Sequence, residues 1–172
     1  MVYSVDAVRA RLAARVGTSR DDLDLLDRFD RFGADLLEPL DEVYGLDSVI
    51  DPLLDILVAN HEQRDAALHQ RDRERVLEPD WFQKPSTMGY VCYTDLFSKN
   101  LKGLAAKIPY LEGLGVTYLH LMPILKPREG ANDGGYAVAD YRSLRKDLGS
   151  MAELRATAEK LHAAGISLTL DL

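Results

Sequence analysis

The sequence predicts two regions of different fold class, a helical region followed by an α/β region with a parallel sheet. Composition separates them: residues 1–80 hold 19 Asp or Glu against 10 Arg and no Lys, whereas residues 81–172 hold 9 acidic against 11 basic residues. Nine of the 13 aromatic residues and nine of the 12 glycines also lie in the second region. A composition shift of this kind, centred on residues 79–85, is typical of a domain boundary.

Apolar residues of the first region recur every three to four positions, which is the spacing of amphipathic helices. Ser4 is expected to cap the first helix, and Ser19 with Asp22 resembles a capping box before the second. The second helix is expected to bury Leu23, Leu26, Phe29, Phe32, Leu36 and Leu37 and to kink or end at Pro39. A third helix should begin at Asp47 or Ser48, with Pro52 in its first turn and Ile56, Leu57 and Leu68 facing inward.

Two histidines, His61 and His69, lie in the heavily charged run HEQRDAALHQRDRERV. As metal ligands they would lack a third partner in the sequence. We therefore expect surface histidines on a solvated helix.

The second region alternates β-favouring and helical segments. The strands are expected in GYVCYT (89–94), VTYLHLM (116–122) and ISLTLDL (166–172). A helix is expected over residues 101–114, and a second is expected to run from the capping box of Ser150 and Glu153 to Gly165. This order predicts right-handed βαβ units and a parallel sheet.

The longest connection follows Met122 and has about 27 residues, and a structureless loop of that length is usually functional. It contains NDGGYAVADY (132–141). Two interpretations compete: a tight turn of hairpin type, or glycines that let a carboxylate and an aromatic ring lie close together over a ligand. Because ligands of parallel α/β sheets bind beyond the carboxyl ends of the strands, the position of the loop favours the second.

Several classes of function are not indicated. No apolar run reaches the length of a membrane span, and no basic patch interleaved with aromatic residues suggests nucleic acid. The single Cys92 excludes an internal disulfide and a cysteine-based metal cluster. We expect no metal and no cofactor. The absence of a secretory signal at the start favours a cytoplasmic protein.

Residues 88–172 resemble a known family in motif, order and spacing. TYLHLMPILKPREGANDGGYAVADYRSL and LGSMAELRATAEKLHAAGISLTLDL are similar to the amylosucrase branch of the α-amylase superfamily, glycoside hydrolase family 13. GYVCYTDLFSKNLKGL looks like the first barrel strand and helix of that family. The resemblance implies an all-helical N-terminal domain over residues 1–80, followed over residues 81–172 by the first three βα units of a (β/α)8 TIM barrel.

The resemblance also implies a function and a binding site. Amylosucrases transfer the glucosyl unit of sucrose to an α-1,4-glucan, releasing fructose, and they also hydrolyse sucrose. In the Asp-Gly-Gly-Tyr motif, the residues matching Asp133 and Tyr136 line the pocket for the transferred glucose. A carboxylate accepts strong hydrogen bonds from sugar hydroxyls, and an aromatic face packs against the C–H face of a pyranose. Asp140 and Tyr141 are assigned to support of the loop.

The catalytic residues of the family are expected elsewhere. Retaining glycosidases use two carboxylates about 5 Å apart, and in this family both lie on later barrel strands. No catalytic residue is therefore assigned within this chain, and Asp171 matches only the acid that opens the motif Asp-x-x-x-Asn-His. Since a barrel needs about 250 residues, we expect the chain to be either one piece of a longer enzyme or a truncated product, and to be inactive alone.

Three alternatives remain open from the sequence: a trehalose synthase, a sucrose phosphorylase, or a non-catalytic sugar-binding module. His120 in the second strand has two interpretations, a general base or a hydrogen-bonded histidine of the core or rim. Its apolar neighbours favour the second.

Overall fold

The computed structural model describes residues 4–171. The chain divides into two units, one ending at Pro79 and one beginning at Asp80. None of the helices in the described part combines the length and the apolar character that crossing a bilayer requires.

The described part of the first unit contains four helices, and local capping chemistry explains where three of them begin. They are α1 (Val5–Ala13), α2 (Arg20–Tyr44), α3 (Leu46–Glu62) and α4 (Ala66–Leu77). The Ser4 hydroxyl accepts the Ala7 amide before α1, and the capping box of Ser19 and Asp22 is formed before α2. Asp65 caps α4. The core is a cluster of aliphatic side chains and one aromatic ring: Val8, Leu12, Leu26, Phe29, Leu37, Leu46, Ile50 and Leu54.

Helix α2 does not end at Pro39 but continues to Tyr44. Leu37 and Leu40, on either side of the proline, both pack against the core, and this packing holds the helix across the missing N–H group. Helix α3 begins at Leu46, directly after Gly45 at φ +72°. Its first amide at Leu46 donates to the Asp41 carboxylate instead of to a cap at residue 47 or 48. Pro52 consequently lies beyond the first turn.

The apolar face of α2 is narrower than the spacing suggested. Leu26, Phe29 and Leu37 are buried, whereas Leu23, Phe32 and Leu36 are between 36% and 54% exposed. Ile56 of α3, expected inside, is 58% exposed, while Leu57 packs against the core. Helices α1 and α3 cover only part of this stripe, and α4 meets α2 through ion pairs such as that of Arg73 with Asp21, so three-to-four spacing predicts more burial than the packing provides.

The prediction of surface histidines is wrong. His61 and His69 are both more than 90% buried, and their rings meet edge to face with centroids 5.0 Å apart. The His61 Nε2 atom lies 2.8 Å from the carboxylate of Asp22, the third residue of α2 and the partner of Ser19 in its capping box. Burial is possible because this carboxylate replaces water for one ring nitrogen.

Within the residues that the structure describes, the second unit contains five strands and four α-helices. After a short 3-10 turn (Trp81–Gln83), the order is β1 (Gly89–Cys92), α5 (Thr94–Ser98), α6 (Leu101–Ala106), α7 (Ile108–Gly113), β2 (Tyr118–Leu121), β3 (Leu125–Pro127), a 3-10 turn (Asp133–Gly135), β4 (Val138–Leu144), α8 (Met151–Ala163) and β5 (Ser167–Leu170). Strands β1, β2 and β5 form a parallel sheet with β2 in the centre, and β3 pairs with β4 in antiparallel fashion.

One face of the parallel sheet packs on the helices and the other carries polar side chains. Leu119 and Leu121 of β2 are fully buried with Leu101, Leu104 and Leu161 of the helices. His120 lies between them on the opposite face, in register with Val91 of β1 and Thr169 of β5.

Two features of this unit differ from the prediction. The helix expected over residues 101–114 is divided into α6 and α7 at Lys107, because Pro109 has no N–H to continue the hydrogen-bond ladder. The connection after β2 is not structureless, since β3 and β4 form a two-stranded ribbon within it.

Candidate functional site

The site lies at the carboxyl ends of the three parallel strands. Tyr93 follows β1, His120 is the last but one residue of β2, and Asp171 follows β5. Backbone bonds continue the pairing beyond the strands: the Met122 amide donates to the Cys92 carbonyl at 3.0 Å, and the Asp171 amide to the Leu121 carbonyl at 3.3 Å. The parallel register therefore brings residues that are distant in sequence to one edge.

The loop that contains the Asp-Gly-Gly-Tyr motif (residues 132–137), here called the motif loop, lies at this edge and has an unusual backbone conformation. Asp133, Gly134 and Gly135 have φ values of +52°, +68° and +100°. The Asn132 side chain accepts the Gly135 amide at 3.1 Å, and the Asn132 carbonyl accepts the Ala137 amide at 3.0 Å. Three successive residues with positive φ turn the chain sharply, and glycine at the second and third positions avoids the Cβ clash.

Glycine at positions 134 and 135 also permits the loop backbone to lie close to Tyr93 and Pro123. A Cβ atom on Gly135 would lie 3.0 Å from the Cβ atom of Pro123, which is buried just after β2. A Cβ atom on Gly134 would lie 3.6 Å from the Tyr93 hydroxyl. The loop therefore packs directly on the ends of β1 and β2.

Tyr136 is tied to the third parallel strand. Its hydroxyl donates to Asp171 Oδ2 at 2.8 Å, while its side chain stays 47% exposed. The hydrogen bond to Asp171, with the negative charge of that carboxylate, raises the pKa of Tyr136. The ring is thus fixed at its tip and open to solvent.

Asp171 receives a second bond from the central strand. His120 Nε2 lies 2.8 Å from Asp171 Oδ1. The hydrogen bonds from His120 and from Tyr136 lower the pKa of Asp171, so this residue is a carboxylate at neutral pH and the His120 nitrogen is the donor. One carboxylate joins His120 to Tyr136.

The Asp133 side chain differs from those of Tyr136 and Asp171. It is exposed, and among residues 4–171 no side chain forms a hydrogen bond or ion pair with its carboxylate. A non-glycine residue at positive φ is uncommon, and such conformations concentrate at functional sites. The loop holds an acid with free acceptor atoms next to an exposed ring.

The two predicted site residues lie at the two ends of one turn: Asp133 begins the 3-10 turn and Tyr136 follows it directly. Whether they bind glucose stays a prediction. Asp140 lies on β4, where it accepts the Arg142 amide at 2.8 Å and the Ser143 hydroxyl. Its neighbour Tyr141 is 65% exposed.

Sequence reasoning did not identify the contacts of Tyr93 and Asp171 with the motif loop. Their position immediately after parallel strands was the available signal, since such residues gather at one sheet edge. His120 is hydrogen-bonded at the rim, as its favoured interpretation proposed. In the part of the chain that is described, no three His, Cys, Asp or Glu side chains are arranged to hold a metal ion.

Comparison with known proteins identifies the family. The family described as "Alpha amylase, catalytic domain" matches residues 77–172. An oligo-1,6-glucosidase of Parageobacillus thermoglucosidasius is 37% identical over 73 residues, and a trehalose synthase of Pimelobacter sp. (strain R48) is 31% identical over 101 residues. These matches cover 42% and 55% of the chain.

The chain spans only 13% and 17% of the lengths of these two relatives. The crystal structure of Bacillus licheniformis trehalose-6-phosphate hydrolase matches 54% of the chain and 17% of its own, at 26% identity and a TM-score of 0.47. The match of the catalytic domain covers more than half of the chain, from residue 77 to residue 172. The chain therefore belongs to the α-amylase family of glycoside hydrolases, family 13.

Proposed function

We propose that the full-length protein is an amylosucrase-like enzyme that cleaves sucrose by a retaining mechanism and transfers the glucosyl unit to an α-1,4-glucan or to water. In this proposal residues 1–80 form the helical N-terminal domain, and residues 81–172 begin the catalytic barrel. One observation carries the assignment of the site: the unpaired carboxylate of Asp133 lies beside the exposed ring of Tyr136 at the carboxyl ends of parallel strands. A cytoplasmic location is part of the same proposal.

Each residue has a distinct role in holding the sugar. The Asp133 carboxylate accepts hydrogen bonds from hydroxyl groups of the glucosyl unit, and these bonds strengthen as charge develops on the ring. Tyr136 offers a face for the C–H groups of the pyranose, with its hydroxyl already engaged by Asp171. The nucleophile and the acid/base carboxylates, about 5 Å apart in retaining enzymes, are assigned to segments outside residues 1–172.

Trehalose synthase is the second candidate, supported by the 31% identity to such an enzyme over 101 residues. The 37% identity to an oligo-1,6-glucosidase supports hydrolysis of α-1,6-glucosides as a further outcome. A sucrose phosphorylase is distinguished by its need for phosphate. A non-catalytic module is a candidate of a different class, and it would turn over none of these sugars.

Product analysis of the full-length protein separates these candidates. The protein is incubated in turn with sucrose, maltose and isomaltose, with and without phosphate and glycogen. Fructose release from sucrose without phosphate is the expected result. Conversion of maltose to trehalose would favour the second candidate instead, and glucose from isomaltose alone would favour the α-1,6-glucosidase.

Exchange of Asp133 tests the assignment of the site. Asp133→Asn removes a charged acceptor, and loss of such a hydrogen bond lowers kcat/KM roughly 10- to 150-fold. Glu129→Gln is the matched control because it removes one exposed acidic group from the same loop. Equal activity of the two variants would remove Asp133 from the proposed sugar site.

A further inference from the structure

We propose that His120 is a positioning residue that sets the ring of Tyr136 through the carboxylate of Asp171. The inference rests on the proposed function for its meaning, since Tyr136 is the proposed platform for a glucosyl unit. It adds a residue that itself touches no sugar.

The two oxygens of Asp171 are used by different partners. Oδ1 lies 2.8 Å from His120 Nε2, and Oδ2 accepts the Tyr136 hydroxyl at 2.8 Å. A carboxylate is planar, so fixing one oxygen fixes the direction in which the other accepts. The orientation of His120 is thereby transmitted to the phenol of Tyr136.

The two ends of this chain of hydrogen bonds differ in rigidity. His120 lies on β2, the central strand, which is paired on both sides with β1 and β5. Tyr136 follows a turn with three successive positive φ values, and its side chain is 47% exposed. The histidine is therefore the anchored end, and the tyrosine is the end that needs orientation.

For this role, the residue at position 120 must donate a hydrogen bond to Asp171 from the place that Nε2 occupies. Gln carries an N–H group at a comparable distance from the backbone and can replace the donor, whereas Phe keeps the ring shape and has no donor. His120→Phe and His120→Gln therefore form a pair that separates loss of the hydrogen bond from loss of the histidine.

Thr169 supplies a matched control on the same sheet face. It is in register with His120, and its hydroxyl donates to the Tyr118 hydroxyl at 2.7 Å. Thr169→Val removes a side-chain hydrogen bond between β2 and β5 without touching Asp171. It reports what a local disturbance of the sheet does by itself.

The first test needs no substrate. The full-length protein is labelled with tyrosine carrying ¹³C at Cζ, the Tyr136 signal is assigned with Tyr136→Phe, and its titration is followed by NMR. The pKa of Tyr136, raised by its bond to Asp171, should fall toward the ordinary value in His120→Phe and stay high in His120→Gln and Thr169→Val. An unchanged titration of Tyr136 in His120→Phe would overturn the inference.

The second test measures whether the effect of the residue at position 120 on sucrose cleavage depends on the Tyr136 hydroxyl. His120→Phe should lower kcat/KM for sucrose roughly 10- to 100-fold, the range that a misplaced group of about an ångström produces, while His120→Gln stays within about threefold of the parent. In the Tyr136→Phe background, where the hydroxyl that Asp171 holds is gone, His120→Phe should have little further effect. Equal losses from His120→Phe in both backgrounds would overturn the inference.

The two readouts keep the inference and the proposed function distinguishable. If the Tyr136 titration responds as expected and the protein does not cleave sucrose, the positioning role stands and the assignment of substrate fails. If sucrose is cleaved and the titration does not respond, the substrate stands and His120 has no positioning role.

Discussion

Gly135 is the position at which a single methyl group should disturb the motif loop most. Gly135→Ala places a Cβ atom at φ +100°, and left-handed backbone of this kind costs an L-residue about 1–2 kcal/mol. The new atom would also lie 3.0 Å from the Pro123 Cβ atom, and overpacking against buried atoms costs about 1–3 kcal/mol. Together these effects predict a loss of roughly 2–5 kcal/mol.

Gly113 provides the control for this substitution. It is the last residue of α7, is exposed, and has nothing within 4 Å of an added Cβ atom. Gly113→Ala should leave stability unchanged or raise it by about 0.5–1 kcal/mol, because alanine loses less backbone entropy in a helix than glycine does.

The assay combines urea denaturation of the full-length protein with hydrogen exchange at two amides of the loop. The Ala137 amide donates to Asn132, and the Arg128 amide donates to Ala137. Both should lose protection in Gly135→Ala and keep it in Gly113→Ala. Equal protection in the two variants, with equal denaturation midpoints, would refute the argument that Gly135 is required by backbone conformation and by Pro123.

Further predictions concern the core of the helical unit and the titrating side chains of Asp22 and Cys92. Leu54→Ala in the fully buried core of the helical unit should cost about 2–5 kcal/mol in urea denaturation, whereas Leu77→Ala, at an 83% exposed position, should change stability by less than about 0.5 kcal/mol; equal losses would contradict the described core. Bonds from the Ser19 hydroxyl and from His61 lower the pKa of Asp22. Its contribution to stability is therefore present above the ordinary Asp pKa of about 4 and is lost as pH falls through the lower folded value. As pH is lowered from 6 to 2, the urea midpoint should accordingly fall less in Asp22→Asn than in the parent. An equal fall of the midpoint in both proteins would argue against hydrogen bonds that stabilise the Asp22 carboxylate. Burial raises the pKa of the Cys92 thiol to about 11. Since the thiolate is the nucleophile, alkylation by iodoacetamide at pH 8, followed by mass spectrometry of the Cys92 peptide, should be roughly 100-fold slower than for an ordinary cysteine. Rapid labelling of the folded protein would contradict that environment.

The parts of the fold that depend on neighbours in sequence could be predicted from the sequence. The caps at Ser4, Ser19 and Ser150 use side chains that bond within three residues, and all three are formed. The segments containing the parallel strands were visible for the same reason, since short apolar runs between helical patterns are local signals.

Features decided by distant partners could not be predicted in this way. The continuation of α2 through Pro39 depends on core packing. Burial of His61 depends on Asp22, which lies 39 positions away in sequence. In the site, the glycines and Asp133 were recognisable as a motif, but the bonds of Asp171 to His120 and Tyr136 join residues 51 and 35 positions apart. The register of the parallel sheet brings His120 and Asp171 together, and the packing of the motif loop against Pro123 brings Tyr136 to them.

The proposed sugar site is tested most directly by a crystal structure of the full-length protein with glucose bound. An Asp133 oxygen is expected about 2.5–3.0 Å from a hydroxyl of the sugar, the range of a strong hydrogen bond. The Tyr136 ring should lie against the C–H face of the same sugar, with its hydroxyl still bonded to Asp171. Glucose bound at the carboxyl ends of the strands without contact to either Asp133 or Tyr136 would contradict the assignment of these two residues to the sugar site.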